Sequence, residues 1–142
     1  MMRSVPFVRV LICTMSLALL PIHAAAETKT EYANRFVMVL DWVKKTSNFM
    51  RDHINDKGLA RHLQDLAARQ VDLSSVLTPP EEWKPIHPHF LLVLENTERA
   101  FYFAARGELA SYRRHSHIMR EELRMVETLI ARNRIQLPDP PM

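Results

Sequence analysis

The chain has 142 residues, a single cysteine and a formal net charge of +3, with 47% apolar and 25% charged side chains. Such a composition belongs to a globular protein. It excludes a disulfide-stapled scaffold and a low-complexity chain, and it does not imply a nucleic-acid partner. Two glycines against nine prolines, the prolines clustered outside the periodic segments, point to helices with few tight turns and hence to an all-α fold.

The first residues read as an export signal. Arg3 and Arg9 form a basic n-region, Val10 to Leu20 an apolar core, and Pro21 breaks that core before small residues that suit cleavage after Ala26. The apolar run is about a dozen residues, short of the ~20 that a spanning helix needs. Lipid attachment at Cys13 is disfavoured because bulky Leu11 and Ile12 precede it. The expected product is exported, periplasmic or secreted, with no transmembrane helix once the signal is cut. Removing residues 1–26 takes away Arg3 and Arg9 and no acid, so the net charge falls from +3 to +1, and Cys13 leaves too. About 116 residues remain, enough for one domain that buries roughly two-thirds of its unfolded surface.

Taken in order, the mature chain shows four amphipathic segments. Over residues 28–53, Tyr32, Phe36, Val39, Leu40, Val43, Met50 and Ile54 recur at helical spacing. Thr28 or Thr30 suits the N-cap, with Glu31 in the first turn. Thr46 and Ser47 interrupt the stripe, marking either a close helix approach or a loose stretch. Asn55-Asp56-Lys57-Gly58 reads as a turn in which Asn and Gly can take positive φ. A second, short helix follows over residues 58–70, with Leu59, Leu63, Leu66 and Ala67 inward.

Residues 71–86 hold Leu73, Val76, Leu77, Trp83 and Ile86 together with Pro79, Pro80 and Pro85. They read as an ordered, extended crossing with Trp83 against the bundle. Pro88 then opens a third helix with Phe90, Leu91, Leu94, Phe101 and Ala105 on its inner face. Gly107 stops it. The fourth helix carries a seam of Leu109, Tyr112, Ser116, Met119, Leu123, Val126, Ile130 and Asn133. The expected architecture is an up-down-up-down four-helix bundle over residues 27–137, with a proline-containing crossing between helices 2 and 3 and an extended proline-rich tail over residues 138–142.

No catalytic motif emerges. Six histidines remain after signal removal, but His115 and His117 point about 200° apart on a regular helix and cannot share one ion. His87 reads as a cap and His89 as exposed. Counting from Gly107 places Glu98 and His115 at nearly one level, with His62 at the same end of the bundle. A carboxylate and two imidazoles from three helices would suit zinc, copper or nickel. A buried carboxylate held by a hydrogen bond accounts for the same pattern without metal. Phe101, Tyr102 and Phe103 are consecutive, so at least one ring must leave the core. With Trp42, Arg113 and Arg120, Tyr102 and Phe103 have the composition of an interface centre. The expected function is non-catalytic: interaction with another protein or with a second copy. A divalent-metal-binding bundle is the alternative.

Overall fold

The computed structural model describes residues 28–139. The expected signal peptide and residues 140–142 of the tail lie outside the described residues. Four helices account for the fold: α1 (Lys29–Asp52), α2 (Lys57–Ser75), α3 (His87–Arg106) and α4 (Leu109–Arg132), with a single 3-10 turn (Glu81–Trp83) before α3. No strand occurs among the described residues, and none of their helices is long and apolar enough to cross a membrane.

Each helix end has a local cause. Thr28 caps α1 in a reciprocal box: its hydroxyl accepts from the Glu31 N–H, and its own N–H donates to the Glu31 carboxylate at 2.9 Å. The same bond holds the exposed Glu31 carboxyl below its ordinary range. Asp56 caps α2 by accepting from the Leu59 N–H at 2.8 Å. Gly58 is consequently helical, and the 53–56 turn contains no positive φ. That turn closes on an Asx cap, not on left-handed Asn or Gly.

α2 runs five residues past the expected end, to Ser75. Nothing between Gln70 and Ser75 interrupts helix formation, and Pro79 is the first residue that must. The link to α3 is therefore shorter than the expected 71–86 and is not wholly extended, because Glu81–Trp83 close a 3-10 turn. Trp83 is fully buried. α3 begins at His87 with Pro88 in its first turn and ends at Gly107, which adopts φ 75° while the N–H of Glu108 reaches back to Phe103. α4 ends in the same way, but with Arg134 in the left-handed conformation at φ 53°.

The core has two parts with different chemistry. Tyr32, Phe36, Trp83, Ile86, Phe90, Leu94 and Val126 belong to an aromatic-rich cluster, in which the Phe36 ring lies 4.8 Å from both Trp83 and Phe90. Ala60, Ala67, Ala100 and Ala104 dominate the other, with Met50, Leu63, Phe101 and Tyr112. Small side chains let helix backbones approach, and large rings hold them apart. α3 accordingly lies close against α2 and α4, whereas α1 rests more sparsely on α2 and α3 and hardly approaches the α4 backbone. α3 buries residues beyond the expected stripe, Val93, Asn96, Thr97 and Ala100 among them, because it has neighbours on several sides.

Candidate interaction groove between α1 and α4

Where the aromatic wedge thins out along α1, the side chains become small and polar, and a groove of about 520 Å³ opens against α4. Its α1 wall carries Ser47 and Asn48, with Ile54 just beyond the helix end; its α4 wall carries Leu109, Tyr112, Ser116, Met119 and Leu123. Neither expectation for the interrupted stripe holds, because α1 is regular helix through Thr46 and Ser47 and no neighbouring helix among the described residues covers Ser47. Ser47 faces the opening, while Thr46 donates its hydroxyl to the Trp42 carbonyl of its own helix at 2.8 Å.

The groove is edged by Lys44 and Arg51 from α1 and by Arg113 and Arg120 from α4, and no acidic side chain lines it. Lys44 reaches Glu127 at 3.0 Å and Arg51 reaches Asp52 at 3.3 Å. Both are exposed ion pairs, cheap to exchange for another carboxylate. Arg113 and Arg120 are exposed and have no ion-pair or hydrogen-bond partner among the described residues. An apolar floor between cationic edges suits an amphipathic, negatively charged occupant.

The expected interface residues separate. Arg113 and Arg120 edge this groove, whereas Tyr102 and Phe103 line a shallower depression with Gln64, Glu98, Arg99 and His115. Phe101 is buried, and Tyr102 is the ring that leaves the core, with the Arg106 guanidinium 5.4 Å from its centre. Phe103 stacks on His115 with centroids 5.3 Å apart. Trp42 is half-buried, packed against both core clusters, and belongs to neither surface.

Glu98 and His115 do share that depression, but each is engaged elsewhere. The Glu98 carboxylate accepts from Gln64 Nε2 at 3.0 Å, and His115 Nδ1 donates to Asn96 Oδ1 at 3.0 Å. Asn96 offers its oxygen because its amide nitrogen is committed to the Leu92 carbonyl. Burial, then Arg99 and Arg114, push the His115 imidazole below its ordinary value, with Glu98 pulling the other way. His62 is exposed and lies outside the depression. Among the described residues no three His, Cys, Asp or Glu side chains form a group that could hold a metal ion. The hairpin is offset about Gly107. His115 pairs with Asn96 and Glu122 with His89, each three residues farther from Gly107 along α3 than along α4.

Two further histidines differ from expectation. His87 is buried and caps nothing, its Nδ1 meeting the Tyr32 hydroxyl at 2.7 Å. His89 is half-buried against Glu122, also at 2.7 Å.

No family model matches the chain, and no curated protein or solved structure matches it. The functional reading therefore rests on the groove. Sequence reasoning missed Lys44 and Arg51 as members of it. The available signal was their seven-residue spacing on one helix, repeated by Arg113 and Arg120 on another.

Proposed function

We propose that this protein is an exported, non-catalytic binding module, an up-down-up-down bundle that engages another protein through the groove between α1 and α4. The observation that carries the reading is the pairing of an apolar floor with unpartnered Arg113 and Arg120 at its edge. Such surfaces, an apolar centre rimmed by arginine, are characteristic of interface centres. The bundle topology is supported by side-chain pairs: Tyr32 with His87 and Phe36 with Phe90 advance together along α1 and α3, whereas His89 with Glu122 and Asn96 with His115 advance in opposite senses along α3 and α4. Export is supported by the basic, apolar and small-residue layout of residues 1–26.

A photo-crosslinking residue placed at Asn48, in the groove wall, tests the reading against the same residue at exposed Arg61 on α2. In the compartment that holds the protein, Asn48 is expected to give a discrete adduct and Arg61 none. An adduct of twice the chain's own mass would identify the partner as a second copy. Equal or absent adducts at the two positions would reject the groove as the working surface.

A further inference from the structure

The occupant of the groove can be narrowed by the spacing of its cations. Lys44 and Arg51 are seven residues apart on α1, and Arg113 and Arg120 are seven apart on α4. Seven residues are two helical turns, so each wall presents positive charges about 10 Å apart along its axis. Between them, Leu109, Tyr112, Ser116, Met119 and Leu123 follow one another at three and four residues along the floor. On α4, the stretch from Leu109 to Leu123 is about 20 Å long, or roughly four turns of helix.

We infer that the groove receives an amphipathic α-helix of a partner protein, its apolar a and d positions on the floor and acidic residues at its flanking e and g positions. This inference rests on the reading above and specifies the partner's chemistry. Charges repeating every two turns on both walls match a ligand whose own charges repeat every two turns on both flanks, as the e and g positions of a heptad do. A fatty acid or another single-headed amphiphile concentrates its charge at one end and would leave the second cation of each wall unanswered. A second copy of this chain is also a poor match, because its α4 face is itself edged by arginine.

The physical gain combines limited apolar cover with charge pairing. The α1 and α4 backbones hardly approach each other, so a helix laid along the groove covers exposed Leu109 and the remaining open edges of Tyr112 and Leu123, whose side chains are otherwise buried. Its carboxylates meet Arg113 and Arg120, which have no competing partner among the described residues, and exchange for Glu127 and Asp52 at Lys44 and Arg51. This is the helix-in-groove mode of recognition, with charge setting the choice of partner.

The test uses a fluorescent designed peptide of three heptads with Leu at a and d and Glu at e and g, titrated with the purified protein by anisotropy. A sister peptide with Lys at e and g and a fluorescent long-chain fatty acid serve as the other probes. The acidic peptide is expected to bind saturably and the basic sister not to bind. Arg113→Glu with Arg120→Glu should weaken binding by about tenfold or more, and Arg113→Lys with Arg120→Lys should largely retain it, since the charge is what is read. Circular dichroism of each variant establishes that the fold is unchanged.

Equal binding of the two peptides, or an affinity insensitive to charge reversal, would overturn the inference. Fatty-acid binding that depends on Arg113 and Arg120, with no peptide binding, would overturn it in favour of a single-headed amphiphile. A surviving Asn48 adduct alongside failed peptide binding would remove only the acidic-helix occupant. Loss of that adduct would remove the reading beneath it.

Discussion

The Tyr32 hydroxyl meets Nδ1 of His87 at 2.7 Å, joining the first turn of α1 to the first turn of α3 inside the aromatic cluster. Burial pushes the His87 imidazole below its ordinary value of 6.5, because charging a ring packed near Tyr32 and Phe90 forfeits solvation. The unfolded chain therefore takes up this proton at a higher pH than the folded one. The residue's contribution to stability is full above 6.5 and declines as pH falls below it, until the folded ring is protonated as well. The melting temperature is expected to drop between about pH 7 and pH 5, and His87→Gln should flatten part of that drop. Parallel pH profiles for parent and variant would refute this assignment and leave the drop to His115, which is shifted in the same direction. At neutral pH, Tyr32→Phe should cost about 1 kcal/mol by urea denaturation, the usual loss for one buried hydrogen bond.

Trp83 is fully buried, and its indole N–H has no hydrogen-bond partner among the described residues. Phenylalanine would remove the unsatisfied donor along with some volume, whereas alanine would remove nearly all the packing. Trp83→Phe is expected to cost about 1–2 kcal/mol and Trp83→Ala about 3–5 kcal/mol. Equal costs in denaturant titration would mean that the N–H matters more to this core than its shape.

The backbone conformations at Gly58, Gly107 and Arg134 predict opposite signs for similar substitutions. Gly107→Ala places a side chain at φ 75° and should destabilise by about 1 kcal/mol. Gly58→Ala lies in helical backbone, where an added Cβ meets only Asp56 Oδ1 at 3.4 Å, and should stabilise by about 0.4–1 kcal/mol. Arg134→Gly relieves a left-handed non-glycine at φ 53° and should raise the melting temperature slightly. Thermal melts of the three variants separate these signs.

Ala104 is fully buried in the seam between α2 and α3, together with Ala60, Ala67 and Ala100. Ala104→Leu would force apart two closely packed helices and should cost about 1–3 kcal/mol. The same enlargement at exposed Ala110 is expected to be nearly neutral. If both variants melt alike, the close α2–α3 approach is not what the alanines provide.

Much of the local structure was legible because it depends on neighbours in sequence. The Thr28–Glu31 cap, the Gly107 stop and the buried seam of Tyr112, Ser116, Met119, Leu123 and Val126 are set by spacing and backbone chemistry over a few residues. The seam frays where expectation ran past the packing: Leu109 and Asn133 are exposed because no helix covers either end. α2 outlasts its expected end at Gln70 because a proline restricts only its own residue and the one before it, so Pro79 places no limit on residues 71–75.

By itself, then, the sequence determined that the chain is all-α, where most of its helices start and stop, and which stripe of each faces inward. These follow from hydrogen-bond capping and a 3.6-residue period, both local. Only the tertiary structure decided which stripes face each other and how closely. That depended on side-chain bulk across helices, alanines drawing α2 onto α3 while Phe36, Trp83 and Phe90 fill the space beside α1. It also separated Glu98 and His115 from His62, gave each of the first two another partner, and brought Lys44 and Arg51 to the same groove as Arg113 and Arg120. Distances between helices are set by the volumes packed between them, and no spacing along a single chain records those volumes.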